Sequence, residues 1–331
     1  MIASWSASMG LLAGDPAFWL PLVLMLVVCV LLLGLLLIDG IALGAGLMLP
    51  WLVPAERAAL LGRLMRWQPA NERWLLLLLV LTMAAFPLAW SATIGKLYLP
   101  MLLLVAGALV RHLALRDAPS PWLFGLGSLF GAIGFGSVLS VHFSGQGLGL
   151  TYLAFQLLLV FSMMGAFVLL AAAWLFISST GALAVRLGSL GAGAARWTAA
   201  GMVALSLILA MANPAVFYRW THEHNLQLAG LWWLVMLAAF VWLDRLLRRA
   251  QPTRTALLLA WLLLVLMVGG VLYSIFPFLI LDEVTIWDAA LPLEPLSWVA
   301  ISAAVMVTVA LVAQAWDYRD LLARQAVLGQ Q

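Results

Sequence analysis

Charged residues are scarce in this sequence. It has 16 Lys and Arg and 13 Asp and Glu among 331 residues, so that 9% of the chain is charged, whereas soluble domains carry about 25% charged residues. Hydrophobic residues make up 66%, and the mean hydropathy is +1.12. So little charge leaves almost no room for a separate soluble domain. We therefore predict an all-α integral membrane protein in which residues 1–331 form a single polytopic domain.

Cysteine and histidine are also rare. Cys29 is the single cysteine, which excludes disulfides and thiolate metal sites within the chain. A haem held across a helix bundle needs histidines inside the spans, but all four histidines lie at or beyond predicted helix ends. They are His112, His142, His222 and His224. We therefore predict that this chain binds no haem and no metal ion. P-loop, GxSxG, HExxH and CxxC patterns are absent, so ATPase and hydrolase functions have no support.

Nine apolar stretches are long enough to cross a membrane. They cover residues 18–40, 73–94, 97–116, 121–142, 151–177, 195–216, 228–247, 255–276 and 296–316. Only a short turn around Gly95 separates the second stretch from the third. Nine transmembrane helices suit an arrangement of two four-helix bundles and one peripheral helix.

Basic residues concentrate on one side of these nine spans. Lys96 and Arg219 fall on the side of the N-terminus, and the other 14 of the 16 fall on the opposite side. The positive-inside rule then places the N-terminus outside and the C-terminus in the cytoplasm. Because the basic residues are spread over several loops, the pI of 9.4 reflects this orientation and does not indicate nucleic-acid binding.

One acidic residue, Asp39, interrupts a long apolar run. An ionised Asp in hydrocarbon costs roughly 2.5 to 3.5 kcal/mol, so this side chain needs a partner or a function. Glycines follow it in the segment IDGIALGAG, at Gly40, Gly44 and Gly46. Such glycines allow another helix or a cofactor to approach the backbone closely.

Two further charged residues, Glu72 and Arg111, fall on the same side of the membrane as Asp39 in this topology. Arg111 could be the counter-charge of a cluster. A buried acid beside an arginine either relays protons or neutralises the arginine, and the sequence favours neither role. A proton-coupled secondary transporter would use the same three residues, and a structural scaffold would need them only for packing.

Five segments, in the same order and at similar spacing, resemble subunit II of the cytochrome bd-type quinol oxidases. They are IDGIALGAG (38–46), NERW (71–74) followed by AAFP (84–87), the end of the third span (111–116), STGALAVR (179–186) and SIFPFLILDEVTIWDAA (274–290). The matching positions include Gly40, Asn71, Trp74, Gly181, Pro277, Trp287 and Asp288. Each segment alone is weak, but the ordered set together with nine spans is specific.

This resemblance implies a subunit of a respiratory quinol oxidase in the bacterial cytoplasmic (inner) membrane. The family works as a heterodimer, in which subunit I holds the quinol site, b-type haems and a d-type haem and passes electrons from quinol to O2 to form water. Subunit II would bind no haem and hold no catalytic residue. Its implied role is to complete the complex, to seal the haems from lipid and to provide proton or oxygen access, and the resemblance allows for a bound quinone.

The sequence also departs from the family pattern. Residues 68–70 are Gln-Pro-Ala where the family usually has Trp-Asp-Gly, so an acid associated with proton entry is missing. Arg116 stands where the family has an acid, and Ser178 stands where it has a basic residue. If a proton path runs through this chain, Asp39 and Glu72 would have to carry it. The sequence therefore indicates a divergent member.

Overall fold

A computed structural model of the protein describes residues 14–116, 118–143, 149–249 and 252–328. Helices dominate these residues. In chain order the elements are α1 (Pro16–Met48), a 3-10 turn (Leu49–Trp51), α2 (Pro54–Leu64), α3 (Gln68–Ala85), α4 (Pro87–Arg116), α5 (Pro121–Val141), α6 (Gly149–Phe176), α7 (Gly181–Ala212), α8 (Pro214–Thr221), α9 (Glu223–Arg248), α10 (Arg254–Ile275), β1 (Phe278–Ile280), β2 (Val284–Thr285), α11 (Ile286–Ala289) and α12 (Leu293–Leu328).

Eight of the described helices are long and apolar enough to cross a membrane. They are α1, α4, α5, α6, α7, α9, α10 and α12. The predicted class, an all-α membrane protein, is therefore confirmed. The segment predicted as the second span forms α3, which has only 18 residues and places Gln68, Asn71, Glu72 and Arg73 in its first six. Because of these polar residues, the mean hydropathy of α3 is lower than that of the apolar stretches of the other eight helices.

The boundary between α3 and α4 differs from the prediction. The chain breaks at Phe86, where φ is −129° and ψ is 59°, and α4 begins at Pro87. Gly95, where the sequence predicted a turn, lies inside α4. The predicted turn was wrong because Pro87, and not Gly95, determines where the helix is interrupted. A residue that precedes proline is disfavoured in the helical conformation, and proline suits the first position of a helix.

The helices pack as two rings of four. In the first bundle α1 contacts α3, α3 contacts α4, α4 contacts α5, and α5 returns to α1. In the second bundle the same order runs through α6, α7, α9 and α10. Helix α6 joins the bundles by packing against α1 and α5, while α12 packs on α3 and α1 from outside. This arrangement agrees with the expected two bundles and one peripheral helix.

The segment between α10 and α12 folds onto the ends of the first bundle. Strands β1 and β2 form an antiparallel hairpin, and the amide of Leu281 donates to the carbonyl of His142 at 3.0 Å. The amide of Leu291 donates to the carbonyl of Ala85 at 3.2 Å. This connection therefore closes the ends of α3 and α5.

Helices α1 and α6 approach so closely that Gly44 has no room for a side chain. A methyl group on Gly44 would overlap the backbone carbonyl of Phe167. One on Gly40 would lie 2.9 Å from Cδ1 of Phe167. The glycines that follow Asp39 thus set the spacing of the joint between the two bundles.

We predict that Gly44→Ala lowers the stability of the assembled protein by about 1 to 3 kcal/mol, because α1 and α6 must move apart to admit the methyl group. Thermal unfolding of the purified protein, monitored by size-exclusion chromatography, measures the loss. Gly95→Ala is the matched control, since nothing lies within 4 Å of a methyl group there. Equal melting temperatures for the two variants would contradict the prediction.

Candidate functional site

Asp39 and Arg111 form an ion pair inside the first bundle. Arg111 donates from Nη1 to Oδ1 at 2.7 Å and from Nη2 to Oδ2 at 2.8 Å, so two charge-assisted hydrogen bonds run in parallel. Only 2% of Asp39 and 1% of Arg111 are exposed. The carboxylate that interrupts the apolar run therefore has a full counter-charge on both oxygens.

The pair crosses the diagonal of the first bundle. Asp39 belongs to α1 and Arg111 to α4, two helices that lie opposite each other in the ring. From α3, which lies between them, Asn71 donates from Nδ2 to Oδ1 of Asp39 at 3.0 Å. Asn71 is 2% exposed. The carboxylate of Asp39 thus accepts hydrogen bonds from side chains of two other helices.

Glycines on α5 make room for the long side chain of Arg111. A methyl group on Gly127 would lie 2.8 Å from Cγ of Arg111, and one on Gly131 would lie 2.7 Å from Cδ2 of Leu43. Side chains at either position would push against the arginine or against α1. Helices α1, α3 and α4 thus contribute the polar side chains, and the glycines of α5 leave the space that Arg111 occupies.

Glu72 lies apart from this cluster. Its carboxylate accepts hydrogen bonds from Nδ1 of His112 at 3.0 Å and from Nε2 of Gln68 at 3.2 Å. The exposed fractions of the Glu72 and His112 side chains are 24% and 47%. The structure therefore brings Asp39 and Arg111 together and places Glu72 in a separate, partly exposed pair.

The motif residues near the arginine-rich ends of the helices position α2 and α7. Gly181 begins α7 with a φ of +56°, a left-handed conformation that favours glycine. Ser178 accepts a hydrogen bond from Arg63 of α2 at 3.0 Å. Arg186 donates to both oxygens of Glu56 at 3.1 and 3.2 Å. Ion pairing therefore fixes the amphipathic helix α2 across the start of α7.

The motif residues at the opposite end hold the connection before α12 in place. Nε1 of Trp287 donates to the carbonyl of Phe18 at 2.9 Å, and the two rings stack with centroids 5.3 Å apart. Asp288 caps the short helix α11 by accepting from the amide and the hydroxyl of Thr285 at 3.2 and 2.5 Å. Pro277 accepts from the amide of Ile286 at 3.0 Å. These contacts anchor the start of α1.

An apolar cavity of about 140 Å³ lies within the first bundle. Its lining includes Trp90, Phe135 and Thr93, and His142 lies at one end. Nδ1 of His142 donates to the carbonyl of Leu279 at 2.7 Å. Burial lowers the pKa of His142, although its hydrogen bond to Leu279 opposes that shift.

Comparison with known proteins identifies the family of this chain. The family model described as cytochrome bd terminal oxidase subunit II matches residues 20–321. This chain belongs to that family. Among solved structures, a chain of the bd oxidase from Geobacillus thermodenitrificans shares the fold of this subunit II, with a TM-score of 0.71 and 16% sequence identity. The alignment covers 92% of this chain and 98% of that chain. No curated protein matches.

The departures from the family pattern can now be placed in this subunit II. Gln68 is buried, 2% exposed, and donates to Glu72, while the carbonyl of Pro69 accepts from Nε of Arg73 at 3.2 Å. Residues 68–70 thus form the first turn of α3, directly before Asn71. Their side chains contribute no carboxylate beside Asp39.

We predict that Asp39→Asn destabilises the complex by about 3 to 5 kcal/mol, because it leaves Arg111 buried without a counter-charge. The double variant Asp39→Asn, Arg111→Gln removes both charges, and it should recover a large part of this loss. The melting temperatures of the purified complexes measure both effects.

Glu72→Gln serves as the control for this experiment. It also removes a carboxylate that pairs with a basic side chain, but its partner is half-exposed, so the expected loss is at most about 1 kcal/mol. A melting temperature of Asp39→Asn equal to that of Glu72→Gln would contradict the buried ion pair.

A second prediction concerns acid pH. Because burial lowers the pKa of His142 in the folded protein, the unfolded chain binds a proton at His142 more readily than the folded chain does. This residue should therefore stabilise the protein above about pH 6.5, and the contribution should be lost as pH falls from there towards the lowered pKa. His142→Gln should show a smaller fall in melting temperature between pH 7.5 and 5.5, and an identical fall would contradict the prediction.

Proposed function

We propose that this chain is the haem-free subunit II of a quinol:oxygen oxidoreductase in a bacterial cytoplasmic membrane. It would form a heterodimer with a haem-bearing subunit I, which carries b-type and d-type haems and passes electrons from quinol to O2. The family match over residues 20–321 is the observation that carries this proposal. That match favours an oxidase subunit over a proton-coupled transporter.

The contacts of three of the four histidines, those whose side chains the structure describes, support a subunit without haem. A haem held by two histidines needs their imidazole nitrogens inside the bundle. His112 is exposed and bound to Glu72, and His142 follows the last residue of α5 and donates to Leu279. His222 precedes α9 and contacts the ring of Tyr218, with centroids 5.0 Å apart. These residues do not fit a haem, so we place the redox chemistry in the partner.

The geometry of the ion pair supports a structural role for Asp39. A proton relay must be able to take up and release a proton. Both oxygens of Asp39 accept from Arg111, and Oδ1 also accepts from Asn71. A proton on Asp39 would neutralise the carboxylate and leave Arg111 buried without a counter-charge. We therefore propose that Asp39 and Arg111 hold the first bundle together.

The cavity of the first bundle suits an apolar ligand, such as the isoprenoid chain of a bound quinone. The polar groups of its lining already bind protein acceptors: Thr82 donates to the carbonyl of Leu78 at 2.8 Å, and Thr93 donates to that of Ala89 at 2.6 Å. His142 likewise donates to Leu279. Aliphatic and aromatic contacts would hold such a chain.

The orientation that we propose follows the basic residues. The N-terminus would lie outside and the C-terminus in the cytoplasm, with α2 along the cytoplasmic surface. The sequence of α2 supports this position, because Leu60, Leu61 and Leu64 are buried while Arg57 and Arg63 remain partly exposed.

Purification of the tagged chain from its native membrane tests the proposed assembly. We expect a second, haem-rich chain to co-purify, with visible haem absorbance and oxygen consumption on addition of a quinol. A colourless protein that purifies alone, with intact helical content, would contradict the proposal.

Oxygen consumption separates the two roles of Asp39. If the residue is structural, the double variant Asp39→Asn, Arg111→Gln should consume oxygen at a rate per haem close to that of the unchanged complex. If Asp39 relays protons, the rate per haem should fall sharply, because an amide carries no proton. Normalising to haem content removes the effect of poorer assembly.

A further inference from the structure

A second apolar groove opens on the outside of the second bundle, between α7 and α9. Its volume is about 410 Å³, and its lining includes Ala195, Ala199, Met202, Leu237, Phe240 and Met267. Methionines form its floor: Met202, Met236 and Met267 are at most 8% exposed. At its rim, Leu234 and Leu237 are 64% and 63% exposed. The groove therefore opens towards the surroundings of the bundle.

A pair of arginines lies at one end of this groove. Asp244 follows Phe240 by one turn of α9, and Arg196 follows Ala195 in α7. Arg248 contacts Oδ2 of Asp244 at 2.7 Å, and Arg196 contacts Oδ1 at 3.6 Å. At a rise of about 1.5 Å per residue, Arg196 lies about 1.5 Å along α7 from Ala195, and Arg248 lies about 12 Å along α9 from Phe240.

This end of the groove carries an excess of positive charge. One carboxylate, Asp244, faces two guanidinium groups, both of which contact it through Nε. The exposed fractions of the Arg196 and Arg248 side chains are 53% and 57%. Their terminal nitrogens are therefore accessible to a second anion. Arg245 and Arg249 are also exposed beside them.

Two exposed tryptophans indicate how deep the arginines lie in the bilayer. Trp197 adjoins Arg196 and is 57% exposed, and Trp242 on α9 is 55% exposed. Exposed tryptophans of membrane helices concentrate at the boundary between hydrocarbon and headgroups. The groove therefore extends into the hydrocarbon from a point where the arginines reach the headgroups.

We propose that this groove and its arginines form a binding site for one anionic phospholipid. An acyl chain would lie on the methionine floor between α7 and α9, and the phosphate would bind the terminal nitrogens of Arg196 and Arg248. Basic clusters at the ends of membrane helices recognise anionic headgroups, and guanidinium groups bind phosphate oxygens in pairs. The site is separate from the Asp39 pair and from the cavity of the first bundle.

Lipid titration of the delipidated, purified complex tests the headgroup contacts. Native mass spectrometry would count bound dioleoyl phosphatidylglycerol and, for comparison, dioleoyl phosphatidylcholine. Phosphatidylglycerol should bind more tightly to the unchanged complex. Arg196→Gln and Arg248→Gln should each weaken its binding about fivefold, and the double variant about thirtyfold. Arg66→Gln, an exposed arginine between α2 and α3, is the matched control and should leave binding unchanged.

A second pair of variants tests the groove itself. Ala199→Phe would fill it, whereas Ala200→Phe places the same side chain at an exposed position beside it. Ala199→Phe should abolish the site for both lipids, and Ala200→Phe should not. Inorganic phosphate at millimolar concentration should fail to displace the phospholipid, because it lacks the chain.

Only variants that keep the haem absorbance and elution volume of the unchanged complex enter the comparison. If a glutamine variant fails to assemble, Arg196→Lys and Arg248→Lys take its place; lysine keeps the charge but not the paired donors, so binding should weaken less than fivefold. Equal affinity for the two lipids, unchanged binding by the arginine variants and Ala199→Phe, or displacement by phosphate would each overturn the proposal.

Discussion

The bidentate contact between Asp39 and Arg111 is the constraint on which the first bundle depends. Each charge alone would be costly inside a membrane bundle. Together they span the diagonal of a four-helix ring, with α3 contributing Asn71 and α5 contributing only glycine. We therefore propose that the pair sets the register of the four helices as well as satisfying two charges. Apolar packing alone would specify that register less sharply, because lipid is as apolar as the helix surfaces.

The two bundles differ in what they contain. The first bundle contains the ion pair and an apolar cavity, and the connection between α10 and α12 closes the ends of α3 and α5. The second bundle contacts the first through α6, and its groove between α7 and α9 opens to the lipid. The tight joint at Gly44 fixes the position of one bundle relative to the other. This division is consistent with the proposed role of a subunit that completes an oxidase without holding its haems.

Much of the fold was predictable from the sequence, because hydropathy determines which segments enter a membrane. It does not determine where a helix begins. The sequence predicted a span from residue 195, whereas α7 begins at Gly181 and continues for four turns before that point. Arg186 and the glycines of this stretch lower its hydropathy, so hydropathy alone places the start of the span later than the start of the helix. Likewise, Pro87 was a better indicator of the break before α4 than Gly95.

Less of the candidate site was predictable. Asp39 was identifiable because a lone acid in an apolar run requires compensation, and Arg111 was a reasonable partner. Glu72 was a candidate for the same cluster, yet it lies among the polar residues at the start of α3, is partly exposed and binds His112 instead. The space that Gly127 and Gly131 provide for Arg111 had no sequence signature, because glycines in membrane helices serve ordinary helix packing equally well. Which glycine faces which side chain depends on the rotation of each helix.

A high-resolution electron cryo-microscopy map of the purified complex would show both the ion pair and the positions of the haems. We expect continuous density between the carboxylate of Asp39 and the guanidinium of Arg111, with all haem density confined to the partner chain. Haem density between the helices of this subunit would contradict the account, as would a solvent-filled gap separating Asp39 from Arg111.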